Sequence, residues 1–254
     1  NPAQHRVPYA QLPELDRWAL MRLGELIPRV REGYEEFEFH TIVHALNNFC
    51  SVDLSAVYLD ILKDRLYTFR KDAFERRSSQ TVLYDILVAM TKLMAPVLSF
   101  TAEEVWRTLS AQMPGFATDQ SVHLAAFPEA DSSWKDTQLA ARWERLLQYR
   151  TQVQGALEEK RREKIIGSSL EAHVHLAMDV GTGHWILNSR ADLATLFIVS
   201  EVSWTHQTSA TPFFKVSVTK STHAKCERCW NYREAVGKDA DHPTLCDRCL
   251  EAIR

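Results

Sequence analysis

Glycine and proline are scarce in this sequence: 8 and 9 of 254 residues. Together they make about 7% of the chain, against a usual share of about 12%. That shortage argues against a turn-rich all-β protein and leaves room for long helices. No run approaches the roughly 18 apolar residues of a membrane helix. Neither charge dominates, since 30 Lys and Arg face 33 Asp and Glu, a net of −3. A composition 45% hydrophobic and 25% charged excludes disordered, collagen-like and coiled-coil classes. The length suits one large domain or two to three smaller ones. The chain opens Asn1-Pro2-Ala3 with no methionine and no signal peptide, and reads as a piece excised from a longer polypeptide or as a processed chain.

Catalytic signatures are missing too. There is no P-loop, and Gly181-x-Gly183 lacks a third glycine at dinucleotide-fold spacing. No Gly-x-Ser-x-Gly elbow occurs. Glu103 and Glu104 are adjacent carboxylates, but a helix N-terminus accounts for them through its dipole. His173 and His175 share one strand face and read as solvent-facing histidines rather than metal ligands. No residue is assigned a catalytic role.

Cysteine is informative because four of the five are paired in sequence. Cys226-x-x-Cys229 and Cys246-x-x-Cys249 are separated by the sixteen residues 230–245, inside the spacing window of a zinc site. Two thiolates three residues apart on a tight knuckle chelate one ion, and a second knuckle completes a tetrahedron. Four protein ligands leave no open position, so one Zn2+ is expected, with a structural role. Lys225, Arg228 and Arg248 flank the ligands and offset the −2 charge of four thiolates and Zn2+. Two disulfides, or His223 or His242 in place of one cysteine, are the alternatives. Cys50 falls in an apolar helical pattern and reads as a packed core thiol.

Residues 12–113 read as a helical bundle. Phe39, Ile42, Val43, Leu46, Phe49 and Cys50 form one stripe, and Leu54, Tyr58, Ile61, Leu62 and Leu66 a second. A third runs from Leu83 through Ile86, Leu87, Met90, Leu93 and Met94 to Val97, with Pro96 near its end. Leu15–Ile27 is a fourth helix that Pro28 should kink or stop. Thr101-Ala-Glu-Glu104 reads as a capping box opening a fifth. Residues 114–133 are a connection, with a turn at Pro114-Gly115, an extended stretch at Val122–Phe127 and a helix-start signal at Asp131-Ser132-Ser133. A long helix follows at about 134–165. The period then changes: alternation at Leu170–Met178 and at Phe214–Val218 predicts strands, and Leu196–Val199 is read as another. The expected divisions are 1–133, 134–219 and 220–254.

Binding features outnumber catalytic ones. Residues 63–77 hold an excess of three positive charges, including Arg70, Lys71, Arg76 and Arg77. Residues 160–164 read Lys160-Arg161-Arg162-Glu163-Lys164. Basic clusters on a mildly acidic chain suggest a local polyanion site; solvated helix faces are the plain alternative. Trp230 and Tyr232 follow Cys229. Flat aromatics near basic groups can stack on unpaired bases, or can simply pack on the zinc knuckle.

The motifs together have a family look. Asp16-Arg-Trp-Ala-Leu20, Lys63-Asp-Arg-Leu-Tyr67, Tyr67-Thr-Phe-Arg-Lys-Asp72, Gln80-Thr-Val-Leu-Tyr84 and Met94-Ala-Pro-Val-Leu-Ser-Phe-Thr-Ala-Glu-Glu-Val-Trp106 resemble the anticodon-binding helical domain of bacterial isoleucyl-tRNA synthetases. Ile166-Gly-Ser-Ser-Leu-Glu-Ala172 and Leu196-Phe-Ile-Val-Ser200 are similar to segments after that bundle. Cys226-Glu-Arg-Cys-Trp-Asn-Tyr232 with His242-Pro-Thr-Leu-Cys-Asp-Arg-Cys249 resembles the family's closing zinc module. The bundle alone would suit the valine, leucine or methionine enzymes. The four-cysteine tail and Leu98-Ser-Phe-Thr-Ala102 select isoleucine.

The resemblance implies a mainly α chain: an anticodon-binding helical bundle, a small α+β junction unit and a four-cysteine zinc ribbon. It implies the C-terminal tRNA-binding portion of an ATP-dependent isoleucine ligase in the cytoplasm. ATP and isoleucine would bind a catalytic domain absent from this chain, whose His-Ile-Gly-His and Lys-Met-Ser-Lys-Ser signatures do not occur here. The expected partners are isoleucine tRNA and the upstream catalytic and editing domains, on a monomer with no membrane contact. Arg70, Lys71, Arg76 and Arg77 are candidate tRNA contacts. Lys160, Arg161, Arg162 and Lys164 are candidate phosphate contacts, and Arg228, Trp230 and Arg233 candidate loop-base contacts. A non-enzymatic zinc-ribbon adaptor is the alternative, because the zinc pattern alone also resembles the finger of formamidopyrimidine-DNA glycosylases.

Overall fold

A computed structural model describes residues 2–113, 115–116, 119–189, 191–209 and 211–254. Asn1, Pro114, Ala117, Thr118, Arg190 and Ala210 lie outside the described residues, and with them the expected features at Asn1 and Pro114. The chain forms two compact units, residues 1–66 with 71–140 and residues 67–70 with 141–254.

The first unit is helical. After a short α1 (Pro2–His5), α2 spans Glu14–Glu35. Pro13 precedes it, and Glu14 and Asp16 sit in its first turn, where the helix dipole favours negative charge. Pro28 does not stop α2, which overturns one of the two outcomes expected of it. Leu23, Leu26, Ile27 and Val30 are all buried around it, so packing on both sides outweighs the missing hydrogen bond. The helix ends with Phe37 in the left-handed region (φ 57°). There the Glu38 amide donates to the Gly33 carbonyl at 2.8 Å and the Phe37 amide to Tyr34 at 3.3 Å. This is a Schellman cap with phenylalanine where glycine is usual.

Next come α3 (Phe39–Asn48), a π-helical stretch Phe49–Tyr58 and α4 (Leu59–Thr68), without a break. Ile42, Leu46, Phe49, Val57, Ile61 and Leu62 are buried, whereas Phe39 and Val43 are exposed and Cys50 is half-buried. A buried polar network ties this helix to α2. Asp16, fully buried, accepts from the Tyr58 hydroxyl at 2.6 Å and pairs with Arg65 at 3.0 Å. Arg22 pairs with Asp53 at 3.0 Å.

Helix α5 spans Phe74–Met94 and α6 Ser99–Gln112. The expected capping box does not form, because α6 begins two residues before Thr101. Glu103 instead accepts from the Ser121 hydroxyl (2.8 Å) and the Val122 amide (3.1 Å). These bonds bend Val122–Leu124 into a 3-10 turn rather than an extended stretch. Asp131 caps a second 3-10 turn, Ser132–Trp134. The long helix α7 starts later, at Thr137, where Asp136 accepts from the Leu139 amide at 2.9 Å, and it runs to Arg162.

In the second unit β1 (Ala172–Asp179) is followed by α8 (Val180–Asn188), α9 (Leu193–Phe197), β2 (Glu201–Gln207) and β3 (Phe214–Lys220). Leu196–Val199 is not a strand. Asp192 caps α9 through the Thr195 amide, and Ile198 closes it at φ 57°. The sheet order is β2-β1-β3, with β1–β2 parallel and β1–β3 antiparallel. One sheet face carries Val174, Leu176, Met178 and Val218, all buried. On α7, Tyr149 stacks on Phe214 with centroids 4.4 Å apart, and Arg150, buried, donates to the Leu196 carbonyl at 2.9 Å. Asp179 joins strand to helix: bonds from the Phe213 amide (2.8 Å) and the Thr182 amide (3.0 Å) hold its carboxyl well below the usual carboxylate range. Helix α10 (Asp247–Ile253) follows the second cysteine pair.

Candidate metal centre and basic clusters

The four paired cysteines converge. The Sγ atoms of Cys226, Cys229, Cys246 and Cys249 all lie within 4.8 Å of one another, buried, and none forms a disulfide. Cys229 and Cys246 Sγ are 3.7 Å apart, which matches the edge of a tetrahedron built on zinc–sulfur bonds of about 2.3 Å. The first knuckle is set by backbone. The Cys226 amide donates to the Asn231 carbonyl at 2.9 Å, and the Trp230 amide to the Cys226 carbonyl at 2.9 Å. This turn places Trp230 at φ 65°. The second knuckle starts α10, and the Cys246 amide points at Cys226 Sγ at 3.4 Å.

Electrostatics suit a divalent cation. Burial pushes the Cys226 thiol up, but the amides of Cys229, Cys246 and Arg228 outweigh it and bring it down to about 6. Burial pushes Cys246 well up and Cys249 up, and each would ionise beside other sulfurs. Four thiolates therefore cannot share this space without a compensating charge, and Zn2+ supplies it. The donor set fits a closed, structural zinc site, and His223 and His242 lie outside the cluster of ligand atoms.

The module is braced by arginines. Arg228 donates through Nη1 to the Thr68 carbonyl and lies 3.5 Å from Cys249 Sγ. The Arg248 guanidinium covers the Phe69 ring at 5.1 Å. Trp230 is 60% exposed, with Lys225 Nζ 5.1 Å from its ring centroid. Arg233 is half-buried, and its amide donates to the Ala224 carbonyl at 3.1 Å.

The remaining basic residues fall into two groups. Arg70 and Lys71 are exposed between α4 and α5, while Arg76 and Arg77 are half-buried near the start of α5, Arg77 donating to Gln80 at 3.3 Å. At the end of α7, Lys160 pairs with Glu163 at 2.7 Å and Arg161 with Glu158 at 2.5 Å. Arg162 and Lys164 are exposed, and Lys164 holds the Schellman cap at φ 60°. Sequence reasoning missed the role of Arg228 as a brace, since its partner Thr68 lies 160 residues away.

The comparisons agree with this geometry. Residues 16–176, well over half of the chain, match the family described as anticodon-binding domain of tRNA ligase. Residues 225–252, which include all four cysteines, match the zinc finger found in FPG and IleRS. Over its whole length the chain is 47% identical to an isoleucine–tRNA ligase of Syntrophotalea carbinolica, 44% to one of Geobacter sulfurreducens and 43% to one of Moorella thermoacetica. It spans 28% of the length of each of these relatives. The chain belongs to the anticodon-binding domain family of tRNA ligases and carries a structural zinc finger behind that domain.

Proposed function

We propose that this chain is the C-terminal, tRNA-binding portion of an isoleucine–tRNA ligase. It recognises the anticodon stem and loop of isoleucine tRNA in the cytoplasm. Attachment of isoleucine, driven by ATP, takes place on upstream catalytic and editing domains of the same monomeric polypeptide. The observation that carries the reading is end-to-end similarity to isoleucine–tRNA ligases across both the helical region and the four-cysteine module. A bundle alone would suit other tRNA ligases, and a zinc finger alone would suit a DNA-binding enzyme.

In this reading residues 1–133 form the anticodon-binding bundle, 134–219 the junction and 220–254 the zinc module. Cys226, Cys229, Cys246 and Cys249 hold the ion, which keeps the last segment ordered before RNA arrives. Arg70, Lys71, Arg76, Arg77, Lys160, Arg161, Arg162 and Lys164 meet phosphates. Arg228, Trp230 and Arg233 meet loop bases. Trp230 is the strongest of the three, because a large exposed ring sits in a backbone conformation that favours glycine.

Filter binding of isoleucine and valine tRNAs across a salt series tests the reading. Isoleucine tRNA should bind more tightly, and log affinity should fall linearly with log salt at a slope of about 0.7–0.9 per phosphate contact. Equal binding of both tRNAs, or no salt dependence, would overturn it.

A further inference from the structure

One cation of the second unit is held in place and left without a charge partner. Arg145 lies on an edge of α7, and its guanidinium covers the Trp185 ring of α8, 4.1 Å from the centroid. Its Nε donates to the Tyr149 hydroxyl at 3.1 Å, one helical turn further along α7. Tyr149 is itself buried and stacked on Phe214 of β3, with centroids 4.4 Å apart. A ring beneath and a fixed phenol beside it thus set both the plane and the direction of this guanidinium.

What remains free is its fork. Nη1 and Nη2 carry four N–H donors, and among the described residues they have no hydrogen-bond or ion-pair partner. Both nitrogens are open to solvent. No carboxylate stands within helical reach, since the residues three and four positions from Arg145 are Ala141, Arg142, Gln148 and Tyr149. Helix α8 carries no Asp or Glu either. Other cations of α7 are differently placed. Lys160 and Arg161 meet a phosphate only by leaving Glu163 and Glu158, and Arg150 is buried against the Leu196 carbonyl. Arg145 has nothing to leave.

A guanidinium fork gives two parallel N–H bonds to a pair of oxygens, on a carboxylate or on a phosphate. With one face on an indole and Nε tied, little side-chain freedom is left to lose on binding. The surroundings favour phosphate. A protein carboxylate would arrive with apolar neighbours, because protein interfaces bury an apolar core inside a polar rim. Between Ala141 and Gly155, α7 exposes no large apolar side chain, and the exposed residues one and two turns beyond Arg145 are Gln148 and Gln152. Amide donors in line with an arginine suit a sugar–phosphate backbone.

We propose that the fork of Arg145, held flat on Trp185, grips one phosphodiester of the bound tRNA. The proposal rests on the tRNA-binding reading above and adds to it a phosphate contact outside both basic clusters.

Filter binding of isoleucine tRNA to the full chain with zinc bound, across a salt series, tests it. Arg145→Met keeps an aliphatic stem over Trp185 and removes the charge, and Arg145→Gln removes the charge but keeps a polar tip. Each should weaken binding by about tenfold. Each should also lower the slope of log affinity on log salt by about 0.7–0.9, the share of one phosphate. Arg145→Lys restores the charge without the fork, so it should keep the wild-type slope and bind about threefold more weakly. Circular dichroism and zinc content establish which variants are folded. A wild-type slope in the folded neutral variants would overturn the proposal: with reduced affinity, Arg145 is only a cover for Trp185, and with full affinity its fork is left to an acidic protein surface. Wild-type affinity in Arg145→Lys would overturn the two-bond grip even if neither neutral variant folds. All three results leave the tRNA-binding reading in place. Failure of the wild type to bind this tRNA, or binding indifferent to salt, would overturn that reading and the proposal with it.

Discussion

Asp16 is the residue whose surroundings contradict its chemistry most. It has no solvent exposure, yet it sits in a helix whose other buried members are mostly apolar. Burial pushes its carboxyl above the ordinary value, and Arg65 and Tyr58 only partly reverse that. Removing it strands a half-buried guanidinium and a buried phenol, so Asp16→Ala should cost about 3–5 kcal/mol in urea unfolding at pH 7. Tyr58→Phe deletes one charge-assisted bond and should cost about 1.5–3 kcal/mol. The sign of the pH effect follows from the direction of the shift. A raised folded pKa means that the native state holds the proton more tightly than the unfolded chain does. The stabilising effect is complete below the unfolded value of about 3.9 and is lost as pH climbs through the folded value. Asp179 runs the opposite way: its depressed carboxyl stabilises above about 3.9, and that help fades as pH falls toward the folded value. Unfolding titrations of Asp16→Asn and Asp179→Asn should therefore change the acid limb in opposite directions. A parallel change would contradict the assignment. None of this is legible in the sequence, where Asp16 reads as one more acidic residue in a first helical turn.

Elements show where periodicity informs and where it does not. Stripes at helical spacing locate the first unit's helices, because each buries one face. Not every member of a stripe is buried: on α3 Ile42 and Leu46 face inward, while Phe39 and Val43 lie at the stripe's edge and are exposed. Leu196–Val199 has the apolar content of a strand, but an aspartate cap and a left-handed Ile198 make it a helix end. Strand β2 is hard to see in the sequence because only Val202 and Trp204 mark its alternation, and α8 because Gly181 and Gly183 are poor helix formers. Two glycines in α2 give a sharp test of how this helix packs. A Cβ on Gly24 would meet Trp134 at 3.5 Å, ordinary contact, so Gly24→Ala should raise stability by about 0.5–1 kcal/mol through helix propensity. A Cβ on Gly33 would lie 2.7 Å from Cγ1 of Ile42, which is fully buried. Gly33→Ala should therefore destabilise by about 1–3 kcal/mol. Thermal melts that moved both variants the same way would refute this view of the α2–α3 contact.

At the scale of the molecule, the metal belongs to one unit only. The cysteine spacing makes the zinc site readable without coordinates, since chelation by two knuckles restricts sequence separation tightly. Its braces are unreadable, because nothing in a sequence links Arg228 and Arg248 to Thr68 and Phe69. Chelation, or Cys246→Ser, should release about one zinc per chain and abolish amide protection across the knuckles and α10. Protection in α2 and α5 should persist. Full metal retention by Cys246→Ser, or loss of protection throughout, would contradict a local structural site.

The bond from Arg228 to Thr68 also sets a clock for a nascent chain. The Thr68 carbonyl leaves the ribosome 160 residues before the guanidinium that donates to it. At about 5–20 residues per second that interval is about 8–30 s. During it Thr68 and Phe69 await the two arginines, and translation speed decides how long a chaperone has to find them.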